Sequence, residues 1–117
     1  MTNRERRRER YVRDSLPIRL GGLAASLARI ASSARYETGA TAVATMIEEC
    51  RWYIEWTAAD AKPEVASELV DIQRLLTLWR GAWPTAQREA KQRTLLSLQA
   101  KKWADQVLDY SGLLETA

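Results

Sequence analysis

The sequence predicts an all-α protein, an antiparallel up-down-up-down four-helix bundle. Three observations predict it. Apolar residues recur at alternating spacings of four and three along four successive segments, the signature of one helical stripe. The breaks between those segments are short and marked by glycine or proline. No segment alternates apolar and polar residues as a half-buried strand would. The chain has 117 residues, one domain on ordinary size priors. Its 46% hydrophobic and 28% charged content is that of a globular domain, and three prolines and five glycines are too few for a turn-rich all-β chain or a linker.

The first long helix is predicted over Leu16 to Arg35, with Leu16, Leu20, Leu23, Leu27, Ile30 and Ala34 on its core stripe. Ser15 precedes it as a cap, and Pro17 fits the first turn, where a missing N–H costs nothing. Gly21 and Gly22 lie inside this segment. Either Gly21 forms with Ala25, Ala28 and Ser32 a small-residue stripe that admits another backbone, or the glycines mark a later helix start. Gly39 punctuates the chain, and Thr38 or Thr41 caps a second helix to about Ala59, with Val43, Ile47, Cys50, Ile54 and Thr57 or Ala58 inward. The residue before Pro63 avoids the helical region, so the third helix begins at that proline. Its stripe is Val65, Leu69, Ile72, Leu76, Trp79 and Trp83, and Pro84 is expected to end it. Thr85 opens a fourth helix to about Ser111, built on Leu96, Ala100, Trp103, Val107 and Tyr110. Gly112 is the natural residue after its end, with Leu113 or Leu114 folding back onto the last turn.

The net charge of +3 resides in residues 1–14, where Arg4, Arg6, Arg7, Arg8, Arg10 and Arg13 outnumber Glu5, Glu9 and Asp14. Residues 15–117 carry equal numbers of basic and acidic side chains, so the body lacks the basic face that nucleic-acid or membrane attraction needs. The domain organisation is therefore a basic N-terminal arm over 1–14, flexible or a helical extension, followed by the bundle over 15–117. The arm is read either as a solvated, frayed helix start or as a source of nonspecific phosphate contacts, with no element able to read bases. No uncharged apolar run follows it as in a secretory signal, and Arg19 and Arg29 interrupt the most apolar stretch. A cytoplasmic protein with no membrane partner is expected.

The chain has no histidine, which removes the commonest metal ligand and general base. The single cysteine, Cys50, falls on a core stripe and is expected to be an inert small hydrophobe. No cofactor is implied. Trp79 and Trp83 lie on the core stripe of their helix, whereas Trp52 and Trp56 lie off theirs, beside Arg51 and Glu55. Half-exposed indoles are frequent interface anchors. Trp52, Tyr53 and Trp56 are accordingly the candidate interaction surface, for a protein partner or a second copy; a wide core stripe is the competing reading.

Glu48 and Glu49 on the second predicted helix, with Glu68 and Asp71 as an E-x-x-D pair on the third, resemble part of the magnesium site of MazG-type all-α nucleotide pyrophosphohydrolases. That resemblance implies a divergent magnesium-dependent hydrolase using those four carboxylates. The chain departs from the pattern where Trp52, beside Arg51, takes the place of a third glutamate, and losing a carboxylate beside a gained cation weakens a magnesium cage. The competing reading makes the four carboxylates solvated surface pairs. Separately, Arg13-Asp14-Ser15-Leu16-Pro17, Arg19-Leu20-Gly21-Gly22-Leu23-Ala24, Ile54-Glu55-Trp56-Thr57-Ala58 and Val107 to Leu114 resemble a family of small helical proteins of cyanobacteria, a likeness that brings no activity with it. The function expected from the residues is a non-enzymatic helical interaction or scaffold module, docking through the tryptophan-bearing face and capable of self-association. Alternatives are the hydrolase and weak nucleic-acid contact through the arm.

Overall fold

The computed structural model describes residues 1–112, and these are all-helical with no strand among them. Five α-helices follow one another: α1 (Asn3–Tyr11), α2 (Leu16–Ala34), α3 (Ala40–Ala58), α4 (Pro63–Ala86) and α5 (Ala90–Ser111), with a 3-10 turn (Glu37–Gly39) before α3. No helix among the described residues is long and apolar enough to cross a membrane. The expected stripes form the core, with Leu16, Val65, Trp79 and Tyr110 only partly buried at its edge. Leu23, Leu27, Ile30 and Ala34 of α2, Val43, Ile47, Cys50, Ile54 and Thr57 of α3, Leu69 and Leu76 of α4, and Leu96, Ala100 and Val107 of α5 are fully enclosed. Burying each Leu, Ile or Val contributes roughly 1.5–3 kcal/mol. The first and last long helices, α2 and α5, pack most extensively. The α2–α3 and α3–α4 pairs follow, and α4 touches α5 sparingly. The result is a slab of 38 × 37 × 23 Å.

Pro17 occupies the first turn of α2 as expected, though Ser15 makes no side-chain capping bond. The helix starts at Leu16, so the glycines do not mark a later start. Ala25, Ala28 and Ser32 are exposed, so three of that stripe's four residues face solvent. The close approach lies instead at Gly39, where a Cβ would stand 2.6 Å from the Ser33 carbonyl oxygen. That contact seats the α2–α3 corner, and neither Thr38 nor Thr41 caps α3: Gly39 is the residue before it.

Pro84 does not end α4, which runs two residues further to Ala86, and Thr85 belongs to that helix instead of opening the next. Tertiary packing overrides the proline. Trp83 is buried and its indole N–H donates to the Ala40 carbonyl at 2.7 Å, while Ala86 is also enclosed. Gln87 N–H closes the last turn on the Trp83 carbonyl at 2.9 Å. Gly112 ends α5 with φ 70°, in the left-handed region. The expected fold-back of Leu113 or Leu114 lies outside the described residues.

Candidate functional site

The N-terminal arm is a capped helix. Thr2 Oγ1 accepts from the Glu5 N–H at 3.1 Å, and the Glu5 carboxylate accepts from the Thr2 N–H at 3.4 Å, a reciprocal capping box. None of α1 is buried. Its hold on the body comes from Arg4, Arg7 and Tyr11, whose i, i+3, i+7 spacing puts them on one face.

That face meets Trp52, Tyr53 and Trp56 of α3. The Arg4 guanidinium lies 5.7 Å from the Trp52 ring centre and 5.9 Å from that of Trp56, and it donates to Glu55 at 2.6 Å. Arg7 pairs with Glu49 and donates to the Tyr53 hydroxyl at 3.1 Å. The Tyr11 ring stacks on Tyr53 with centres 4.7 Å apart and tilts against Trp56 at 5.8 Å. Trp52 and Trp56 stack at 6.2 Å. Cations are thus laid over the electron-rich faces of the indoles while carboxylates hold them in place.

Trp52 and Tyr53 are half-buried, as the sequence implies, but Trp56 is only 7% exposed. It lies outside the main core cluster, enclosed by Tyr11, Tyr53 and Arg4. Tyr53 also packs against the main core cluster, whereas Trp52 and Trp56 lie outside it, and the chain's own arm covers the face they form. Arg6, Arg8, Arg10 and Arg13 face outward, and Arg13 pairs with Glu9 at 3.3 Å along the helix. Among the described residues, Arg4 and Arg7 are the arm's arginines that pair with the body. Beside the covered face, a cleft of about 500 Å³ opens between α1 and the end of α3, lined by Arg4, Arg8, Val12, Glu55, Trp56 and Asp60 among others.

Two residues at this junction carry no local signal of their role. The Tyr11 hydroxyl donates to the Arg19 carbonyl at 3.0 Å and so receives the Thr57 hydroxyl proton at 2.7 Å. Arg19 is buried in α2, and its guanidinium donates to the Trp56 carbonyl at 3.1 Å and to Asp60 at 3.0 Å. Helix α3 has no basic residue in its last turn. Arg19 supplies the missing positive charge and donor from another helix. The spacing of Arg4, Arg7 and Tyr11 is a signal for α1's inner face. Arg19 reads only as an interruption of an apolar stripe.

Burial pushes the Tyr11 phenol up to about 12 from its ordinary 10, against the lowering effects of the Thr57 bond and the Arg19 charge. A phenol whose pKa is raised by docking keeps its contribution below pH 10 and loses it as the pH climbs toward 12. An ultraviolet titration is expected to show one late tyrosine step that disappears in Tyr11→Phe. An unchanged titration in that variant would place the raised group elsewhere. Burial also pushes the Cys50 thiol up to about 12, consistent with an inert core position.

The four carboxylates of the hydrolase reading point to different neighbours. Glu49 pairs with Arg7 of α1. Glu48 pairs with Arg51 at 2.9 Å and with Arg80 of α4 at 3.4 Å. Glu68 accepts from Gln106 of α5 at 2.6 Å, and Asp71 pairs with Arg74 at 3.5 Å along its own helix. Among the described residues no three Asp, Glu, His or Cys side chains are grouped to hold a metal ion. The arrangement thus brings together Trp52, Tyr53, Trp56, Arg4, Arg7 and Glu49, and leaves Glu48, Glu68 and Asp71 in separate ion pairs and hydrogen bonds. No family model, curated protein or solved structure matches this chain.

Proposed function

We propose that this chain is a non-enzymatic helical interaction module whose docking face is the Trp52–Tyr53–Trp56 surface of α3, with α1 as its releasable cover. We read the four long helices as an antiparallel up-down-up-down bundle that carries this face, opened along the α4–α5 seam. One observation carries the proposal: α1 buries no residue of its own, yet it lays two arginines and a tyrosine onto an acidic and aromatic surface. A cation over an exposed ring contributes about 0.5–1 kcal/mol, and a half-exposed ion pair about 0.2–1 kcal/mol. The Tyr11 stack on Tyr53 and its hydrogen bonds to Arg19 and Thr57 contribute about 1 kcal/mol each. Attachments this small belong to the low-stability end of a folded chain, where elements open locally while the core stays shut.

The partner that fits this face is another helix with arginine or an aromatic residue at i, i+3 and i+7, opposite Glu49, Glu55 and the indoles. It comes from a second protein or a second copy. The test uses a synthetic peptide of residues 1–14 and the full chain carrying Arg4→Glu and Arg7→Glu, whose own arm is repelled by Glu49 and Glu55. The peptide is expected to bind in trans, to change tryptophan emission, and to weaken steeply as salt screens the ion pairs. Binding that also persists in a chain carrying Glu49→Arg and Glu55→Arg would place the peptide elsewhere and overturn the proposal.

A further inference from the structure

A second surface stands apart from the covered one. On α4, Glu64, Glu68, Asp71, Leu75, Leu78 and Ala82 follow one another at spacings of four and three, and all are exposed. On α5, Lys91, Leu95, Leu98, Lys102, Asp105 and Asp109 do the same, and these too are exposed. Each helix therefore carries a second seam, turned away from its core stripe. The seams are apolar in their middle or turn-proximal parts, with Leu78 65% and Leu98 64% exposed. The Trp79 indole N–H donates to Gln99 at 2.8 Å, and Gln106 donates to Glu68 at 2.6 Å. These two bonds set the helices side by side, with Leu75 and Leu78 at the level of Leu98 and Lys102.

Charge along this pair is polarised, net positive at the turn end and net negative at the open end. The turn end carries Arg88 and Lys91 against Glu89, whereas the open end carries Glu64, Glu68 and Asp109 against Lys62, with Asp105 paired to Lys101 of its own helix. Such a face repels a copy laid on it in the same direction and attracts one laid on it in the opposite direction. We propose that the outer face of α4 and α5 is a self-association interface, taken by the same face of a second copy across a two-fold axis at the level of Leu75 and Leu78. This antiparallel arrangement sets Leu75 of each copy near Leu78 of the other. Lys91 and Asp109 lie at nearly equal distances on either side of the axis, so each meets the other across the interface, and Glu64 faces Arg88. The result is a closed, self-complementary pair. Two helices about 30 Å long and each about 10 Å wide present roughly 600 Å², the same order as the ~800 Å² that each partner of a stable complex buries. The interface is independent of the α1–α3 face, and the two proposals stand or fall on different residues.

The test is the mass of the full chain in solution across a wide concentration range. It is expected to rise from 13.3 kDa toward twice that value. Leu78→Glu and Leu98→Glu, both at exposed positions, are expected to weaken association at least tenfold while leaving the dilute chain's melting unchanged. Lys91→Glu alone and Asp109→Lys alone are each expected to weaken it, and the two together in one chain to restore it. Within one copy these residues are about 27 Å apart along α5, so rescue can only act between copies. A mass of 13.3 kDa at every concentration overturns the inference. So does a dimer untouched by Leu78→Glu, or one lost only when Arg7 is reversed, which would assign association to the arm.

Discussion

Replacing Trp83 with alanine is expected to lower the stability of the fold by roughly 3–5 kcal/mol, the range for emptying a buried large aromatic site. Trp83 is 1% exposed. Its ring meets Trp79 edge-on at 6.3 Å, and its N–H reaches the first residue of α3 at 2.7 Å. The indole thus ties the end of α4 to the α2–α3 corner, where Gly39 leaves no room for a side chain. Trp83→Phe keeps most of the volume and removes the hydrogen bond, so its cost is expected nearer 1–2 kcal/mol. Urea denaturation checks both. Equal costs for the two variants would show that the N–H bond, not the packing, holds the corner. A negligible cost for Trp83→Ala would contradict the packing account.

The second large effect is expected at Arg19. Arg19→Met removes a charged donor from the Trp56 carbonyl and the compensating charge from the end of α3, at a cost of about 2 kcal/mol. Asp60→Asn is expected to cost less, about 0.5 kcal/mol, because the Asp60 side chain is 57% exposed and solvent screens its pairing. The order of the two variants distinguishes capping from ion pairing. If Asp60→Asn costs as much as Arg19→Met, the ion pair is the principal term. The Tyr11 hydroxyl rests on the Arg19 carbonyl, a backbone atom that Arg19→Met retains. Arm docking is therefore expected to survive in that variant at moderate denaturant.

The sequence carries the positions of the long helices because their stripes are made of branched aliphatics at helical spacing. Val43, Ile47, Cys50 and Ile54 leave no other way to hide those side chains, and all four are enclosed. Pro84 was misleading for a physical reason: a proline signal acts on one turn, whereas the burial of Trp83 and Ala86 is decided by contacts with distant helices. Trp56 and Arg19 show the same limit from opposite sides. Trp56 lies off the aliphatic stripe yet is buried, because a separate helix closes over it. Arg19 lies between apolar residues yet has its charge satisfied, by a carbonyl and a carboxylate about forty residues away in the chain. The aromatic cluster itself was legible in Trp52, Tyr53 and Trp56. What covers it was not, since six arginines in an arm read equally as solvated charge or as phosphate contacts. The Glu48, Glu49, Glu68 and Asp71 set illustrates the converse. Suitable residue types at a suitable separation in sequence are turned by helix phase toward α4, α1, α5 and solvent in turn.

The account rests on α1 and the aromatic face of α3 forming a specific, separable contact. The most direct measurement is a charge-exchange titration followed by tryptophan emission, using the residue 1–14 peptide and the arm-repelled chain. Substituting Arg7→Glu in the peptide is expected to weaken binding to the chain with native Glu49, and binding is expected to return in a chain that keeps Arg7 and carries Arg4→Glu and Glu49→Arg, whose own arm is again repelled at both positions. A peptide that binds all combinations equally, or none of them, would contradict the account.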